Sequence, residues 1–205
     1  MRNSFAAVLT AGILAAAWPA AAASPGDDIT VNVDREGNTF TVSLDMVVAA
    51  GADETWDVLT DFDRMSQILS NVDTSKVVAR DGNVIRVSQQ SHATVGLLKI
   101  SLKNLREIEL TPNREIRSKM VEGDLKSSDF TTKISPEGTK THVSVRGQFV
   151  TKGAGSAVVN ADAVAKQTRR QYDELRQEVL RRKGNLPPPP CLLAKTCDQQ
   201  QPGAG

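Results

Sequence analysis

Apolar and polar residues alternate along most of the chain between residues 29 and 150, and this two-residue period predicts a series of β-strands. The clearest case is the segment 98–110, in which Leu98, Ile100, Leu102, Ile108 and Leu110 share one face while lysine, serine and glutamate residues occupy the other. One apolar and one solvated face are typical of an antiparallel sheet. The same period predicts strands at 29–33, 39–48, 75–78, 84–94, 116–120, 126–134 and 141–150.

Three segments depart from this period and predict helices. Two are short, at 51–59 and 63–69. The third is long, at 156–183, with apolar residues recurring at spacings of three and four. We expect Ser156 to be its N-cap, after a flexible Gly153-Ala154-Gly155 joint, and Gly184 to follow a last turn whose basic residues suit the helix dipole.

The order of these elements predicts an α+β fold, in which a curved antiparallel sheet wraps around the long C-terminal helix. Several inward strand positions carry polar residues, where a filled core would favour Val or Leu. Two explanations stay open: an interior cavity that holds water or a ligand head group, or a register shift or sheet edge that exposes these residues. Gly147, also inward, leaves room for a bend or for a group close to the backbone. The polar positions are Gln89, Ser91, Ser118, Ser128 and Thr132.

Both ends of the chain differ from the middle. Residues 1–23 read as a signal peptide, with Arg2, a short apolar run and the small residues Ala21-Ala22-Ala23 before Ser24. This predicts a periplasmic or secreted protein whose folded domain spans 24–184. Residues 185–205 are rich in Pro and Gln and are predicted to be disordered, with Cys191 and Cys197 as a candidate disulfide inside that tail.

The charge balance and the motifs exclude several functions. Arg2 is the single charged residue of 1–23, so its removal changes 25 basic and 24 acidic residues to 24 of each. A neutral chain lacks the concentrated positive charge that nucleic-acid binding requires. No G-x-S-x-G or H-E-x-x-H motif is present, and we expect neither a metal nor a cofactor.

The few candidate catalytic groups have simpler explanations. His92 and His142 fall on the polar strand faces and are expected to be solvated. Asp61 and Asp63 could share a proton or bind a cation, but Asp at such positions more often caps the following helix. The basic residues of the long helix, Arg169, Arg170 and Arg176, are expected to form a solvated face with acidic partners three and four residues away.

Three short segments of the chain carry motifs that occur together in one superfamily. The segment 55–63 reads Thr-Trp-Asp-Val-Leu-Thr-Asp-Phe-Asp, which is similar to the "vW-x-v-L-T-D-y-d" block that opens the START-like, or polyketide cyclase/dehydrase-type, superfamily (SRPBCC). The segment 68–72 resembles the "f-i-P-n-v" continuation, with Ser70 in place of the usual proline, and 122–126 resembles the "e-G-d-f-k" turn. The pattern is most similar to the coenzyme Q-binding-protein-like subgroup, although a signal peptide departs from that subgroup's intracellular setting.

The resemblance implies a helix-grip fold with two short helices near the start. Members carry lipids, sterols, quinones or polyketides, and some act as cyclases or regulatory partners. We therefore expect a monomeric, exported carrier of a hydrophobic small molecule or lipid, with a non-catalytic envelope interaction module on the same fold as the alternative. Catalysis is not expected. The predicted ligand-binding residues are Trp56, Leu59, Phe62, Met65, Gln89, Ser91, Leu98, Ile100, Met120, Phe130, Val145, Phe149, Val164 and Thr168.

Overall fold

The computed structural model describes residues 29–95, 98–153 and 159–184, with side chains except those of residues 94, 95 and 98. The predicted signal peptide, the C-terminal tail and its two cysteines lie outside these ranges, and so does Ser156. The elements in chain order are β1 (Ile29–Glu36), β2 (Thr39–Val48), α1 (Ala52–Leu59), a 3-10 turn (Phe62–Arg64), α2 (Met65–Ile68), β3 (Val72–Asp81), β4 (Val84–Val95), β5 (Leu98–Thr111), β6 (Glu115–Gly123), β7 (Ser127–Glu137), β8 (Lys140–Val150) and α3 (Ala161–Arg182).

The strands form one antiparallel sheet in the order β1-β2-β8-β7-β6-β5-β4-β3. The predicted α+β helix-grip architecture is confirmed, with a long C-terminal helix and short helices early in the chain. The register also places the predicted apolar faces together. One inward row crosses seven strands through Ile85, Ile108, Ser118, Phe130, Gly147, Val42 and Val33.

The packed core occupies one end of the space between the sheet and α3. Leu175 and Val179, in the second half of α3, are buried there, at 6% and 1% exposure, against inward residues of the sheet and of α1. Full burial of such side chains contributes about 1.5–3 kcal/mol each. In the first half of α3, residues 161–171, no side chain is fully buried. The helix is therefore anchored by its C-terminal half.

The start of α3 differs from the prediction. The helix begins at Ala161, and Asn160 is the N-cap, with its Oδ1 accepting a 2.7 Å hydrogen bond from the Ala163 backbone N–H. The prediction that the helix starts at 156 is wrong because Asn160, whose side chain satisfies an otherwise unpaired amide, interrupts the apolar period at 160. The predicted end is confirmed: Gly184 follows the last turn with φ of +82°.

Asp61 and Asp63 do not cap a helix through their side chains. Asp61 Oδ2 pairs with Arg64 at 2.6 Å and with Arg182 at 2.7 Å, and Asp63 Oδ1 accepts a hydrogen bond from the Val77 backbone N–H at 2.9 Å. Burial raises the pKa of Asp61, but the hydrogen bonds and charges of the two arginines outweigh it and hold that pKa below its ordinary value. These two carboxylates tie the 3-10 turn to α3 and to β3.

The basic residues of α3 are only partly the solvated face that was predicted. Arg170 pairs with Glu174 at 3.0 Å, four residues away, as expected. Arg176 pairs with Asp173 at 2.7 Å, but its side chain is only 13% exposed. Arg169 donates to the Ile29 backbone carbonyl and so connects α3 to the edge strand β1. Part of this helix face is therefore buried or in contact with β1, and is not solvated.

The path of α3 determines where the interior lies. Within the described residues, the helix backbone passes closest to β1, β2 and α1. The middle strands β4 to β7 face the same helix from farther away, across their inward side chains. The first half of α3 and the inward faces of these strands therefore bound the region in which a ligand site can exist.

Candidate functional site

The interior is solid at one end and accessible at the other. Ile85, Ile108 and Val145 are at most 3% exposed and belong to the packed core. In contrast, Ile100 and Leu102 occupy inward positions of β5 yet stay partly accessible and lie outside the core cluster of the described chain. Large inward-facing apolar residues that are neither buried nor in the core indicate an accessible apolar surface between sheet and helix.

The predicted site residues divide between these two regions. Leu59, Met65 and Val145 lie in the core, and Trp56, Phe62 and Phe130 are partly buried and pack against it. Leu98 is placed by its backbone alone, at the start of β5 opposite Val95. The remaining predicted residues are partly accessible and lie outside the core cluster: Gln89, Ser91, Ile100, Met120, Phe149, Val164 and Thr168.

Two aromatic residues form part of the wall on β7 and β8. Phe149 stacks on Phe40, with ring centroids 4.9 Å apart and planes 6° from parallel. Phe130 packs over Gly147, where an added Cβ would lie 2.5 Å from Phe130 Cδ1. The room predicted at Gly147 is thus taken up by an aromatic ring of the protein, and β8 pairs in register through this position.

The polar inward residues keep their register, so a shifted strand does not explain them. Gln89 Nε2 donates to Ser75 Oγ at 3.4 Å, toward the edge strand. Thr132 hydrogen-bonds the phenol of Tyr172 on α3, which links sheet and helix across the interior, and burial raises the pKa of Tyr172. Ser118 Oγ is buried and has no partner among the described groups.

The sequence analysis missed Arg106, a polar residue that faces the interior. Arg106 lies on the inward face of β5, opposite Val87 on β4 and Met120 on β6. Its Nε is buried without a hydrogen-bond partner, and burial lowers its pKa. The signal was available, because Arg106 stands two residues before the inward Ile108 and therefore shares its face.

Two further buried polar groups of the described chain also lack hydrogen-bond partners. They are Asn104 Oδ1, on the same face of β5, and Gln167 Nε2, on α3. Beside them the β5–β6 register shifts between Leu105 and Arg106, leaving Val121 as an extra residue on β6. Such bulges redirect neighbouring side chains and are frequent beside functional sites. Two strands and one helix thus supply unpaired polar atoms to the interior.

The outer face of the sheet offers no comparable site. His92 Nδ1 lies 3.0 Å from Asp73 and His142 Nε2 lies 3.3 Å from Asp45, so each histidine is on the polar face as predicted but contacts a carboxylate. In the described part of the chain, no cluster of three or more His, Cys, Asp or Glu residues could hold a metal ion. A depression of about 490 Å³ on this face is lined by polar and charged residues: Glu115, Arg117, Thr131, Lys133, Ser144 and Arg146.

Ser70, which replaces the proline of the resembling motif, connects the turn after α2 to α3. Its backbone N–H donates to Glu174 Oε2 at 2.9 Å and its hydroxyl to Oε1 at 2.6 Å. The next residue continues this contact, since Asn71 Oδ1 accepts from Gln171 Nε2 at 3.0 Å. Proline has no N–H and could make neither of the Ser70 bonds. These bonds fix α3 beside the open part of the interior.

The fold agrees with comparisons to known proteins. The sequence model of the family described as polyketide cyclase/dehydrase and lipid transport matches residues 39–180. The chain belongs to this family. The match covers β2 to β8, the early helices and α3 up to residue 180, and leaves out β1. No curated protein matches the sequence closely enough to count as a relative.

Solved structures share the fold at low sequence identity. The STAR-related lipid transfer protein of Xanthomonas axonopodis aligns with a TM-score of 0.61 at 13% identity, covering 77% of this chain and 96% of that one. The Zhui aromatase/cyclase of a Streptomyces species aligns at 0.57 and 18%, covering 71% and 96%. A START superfamily protein of Mycobacterium smegmatis aligns at 0.53 and 18%, covering 70% and 95%. At such identities the likeness establishes the fold alone.

Among the helices of the described residues, none is both long and apolar enough to cross a bilayer.

Proposed function

We propose that this protein binds and carries a hydrophobic small molecule, such as a lipid, quinone or polyketide-like compound, between the sheet and the first half of α3. One observation carries the proposal: Ile100, Leu102, Met120 and Phe149 face the interior but remain accessible and outside the core. Membership in a family described by polyketide cyclisation and lipid transport supports it. So does the fold shared with a STAR-related lipid transfer protein.

The energetic argument favours an occupied interior. A dry cavity of about 300 Å³, typical of a small-ligand site, would cost roughly 7 kcal/mol at about 24 cal/mol per Å³. Total stability is only about 5–15 kcal/mol for most domains. Water can satisfy the polar atoms of such a space, but the apolar wall gains free energy only when an apolar ligand covers it. A hydrophobic ligand with one polar end fits both requirements.

Native mass spectrometry of the purified chain, before and after organic extraction and incubation with apolar compounds, tests the proposal. Leu102→Trp should fill the interior and reduce binding at least tenfold. Ser101→Trp, the neighbouring residue on the exposed face of the same strand, is the matched control and should bind like the unmodified protein. Equal binding by both variants, or no bound apolar compound under any condition, would contradict the proposal. In-cell crosslinking that captures only an envelope protein would then favour the interaction-module alternative.

We also propose that the carrier acts outside the cytoplasm, as a monomer, after cleavage between Ala23 and Ser24. The support is the sequence pattern of residues 1–23. Fractionation of cells that express the full chain should find the protein in the periplasm or the medium, with a mass that begins at Ser24. Retention in the cytoplasm with an intact N-terminus would contradict export and leave the binding proposal unaffected.

A further inference from the structure

We propose that the ligand carries one anionic group, a carboxylate or a phosphate, which pairs with Arg106 inside the protein while its apolar body covers Ile100, Leu102 and Met120. This inference rests on the proposed function and adds the chemical class of the ligand. It starts from the charge of Arg106, because a guanidinium remains protonated in proteins and cannot avoid burial by losing its proton.

Within residues 29–95, 98–153 and 159–184, no carboxylate pairs with Arg106. At the inward positions of β2 and β4–β8 there is no carboxylate in the described chain, since residues such as Glu107 and Asp129 stand at outward positions of the alternating pattern. Among the described groups, the phenol of Tyr172 interacts electrostatically with Arg106. Burial raises the pKa of Tyr172, so this phenol is neutral near pH 7. An unpaired buried charge strongly destabilises a folded protein.

The surroundings of Arg106 fit the head of an amphiphile. Gln167 Nε2 on α3 is a second buried donor without a partner, and the Ser118 hydroxyl is a third group able to donate. Arg106 Nε itself is buried, yet the residue as a whole retains some accessible surface. A planar or tetrahedral anion accepts several hydrogen bonds at once, so an anion bound at Arg106 can also accept from a second buried donor.

The apolar wall lies beside this polar group on the same strands. Along β5, Leu102 and Ile100 follow Arg106 and Asn104 at inward positions, and Met120 is paired with Arg106 across the bulge. A molecule with its anionic end at Arg106 would therefore place its apolar part along the accessible half of the interior. One guanidinium matches one anionic head group, so the inference excludes ligands that carry anionic groups at several positions.

The test measures binding of dodecanoic acid, dodecyl phosphate, dodecanol and dodecyltrimethylammonium to the full chain by calorimetry and native mass spectrometry. The protein should bind one or both anions at least tenfold more tightly than the alcohol and exclude the cation. Comparison of acid with phosphate identifies the source of the charge. Arg106→Met should lower anion affinity about ten- to a hundredfold, the loss expected for charge-assisted hydrogen bonds, and leave dodecanol binding unchanged.

Two variants keep the test decisive. Arg117→Met, which removes an exposed cation from the outer face of β6, should retain the preference for anions. Gln167→Leu keeps Arg106 and should weaken anion binding about three- to tenfold, which covers the case in which Arg106→Met does not fold. Equal affinity for acid, phosphate and alcohol in the unmodified protein, or an unchanged preference in Arg106→Met, would overturn the inference while the apolar carrier stands. Absence of binding by all four probes would instead refute the carrier itself.

Discussion

Gly147→Ala tests whether the wall of the interior is as tightly packed as the structure shows. An added Cβ would lie 2.3 Å from the backbone oxygen of Asp129, 2.5 Å from Phe130 Cδ1 and 2.7 Å from Phe130 Cα. To reach the 3.4 Å of an ordinary contact, the ring edge must retreat by about 0.9 Å and the Asp129 carbonyl by about 1.1 Å. The ring can rotate away, but the carbonyl belongs to the paired β7 backbone and cannot move without distorting the β7–β8 ladder.

We expect Gly147→Ala to destabilise the protein by about 1–3 kcal/mol, the usual cost of overpacking. At roughly 2–4 °C per kcal/mol for a domain of this size, the melting temperature should fall by about 2–12 °C. Phe130→Leu in the same chain should recover only part of the loss, because it relieves the contact with the ring and leaves the contact with the carbonyl. Affinity for an apolar ligand should also fall, since the displaced ring moves into the accessible space.

Thermal unfolding followed by circular dichroism measures the stability, and native mass spectrometry measures the bound fraction. Gly51→Ala is the control, because its added Cβ would meet only Glu54 Oε2 at an ordinary 3.6 Å. That change should cost about 1 kcal/mol, the usual preference for Gly over Ala at an N-cap, and no steric clash adds to it. A melting temperature for Gly147→Ala within 1 °C of the unmodified protein would show that β7 and β8 are looser here than the argument requires.

Three further predictions concern α3 and its attachments. Ser70→Pro removes two hydrogen bonds to Glu174 and should lower the free energy of unfolding, measured by chemical denaturation, by about 1–2 kcal/mol. Ser70→Ala removes only the hydroxyl bond and should cost about half as much. Equal losses in the two variants would show that the backbone hydrogen bond contributes nothing. Burial raises the pKa values of Asp61 and Glu178, but their arginine partners outweigh it and hold both values below the ordinary one. These two ionised carboxylates therefore stabilise the folded protein above the ordinary carboxyl pKa near 4. That stabilisation is lost as the pH falls through the lower folded-state pKa. Asp61→Asn should therefore flatten the decline of melting temperature below about pH 4, and an unchanged profile would contradict the pairing. Leu175→Ala empties a buried core position and should cost about 2–5 kcal/mol in urea unfolding, with a value under 1 kcal/mol indicating that α3 is not anchored there.

The sequence predicted the local features of the fold well because they depend on periods of a few residues. Alternation along 98–110 and 141–150 placed Ile108 and Val145 on the inward face, where the structure buries both. Glycine chemistry ended α3 at the expected point. The start of α3 was less predictable, since both Ser156 and Asn160 are good N-cap residues and the residues between them, 157–159, are all apolar.

The candidate site was predicted only in outline. The sequence indicated which apolar residues face inward, but strand parity alone cannot separate Val145, which lies in the solid core, from Met120, which stays accessible. That difference depends on where α3 approaches the sheet. Arg106 was overlooked because a basic residue in an amphipathic strand is usually solvated, and only the absence of a facing carboxylate makes it notable.

By itself the sequence determined the strands, their inward and outward faces and the long C-terminal helix, because side-chain direction follows from residue spacing of two or 3.6. The tertiary structure alone decided which polar groups find partners. Ser70 meets Glu174 across 104 residues, and Arg182 meets Asp61 across 121. Arg106 meets no carboxylate in the described chain. Such pairings depend on contacts between residues distant in sequence, which no local pattern records, and they are what turn one end of the interior into a candidate site for an amphiphile.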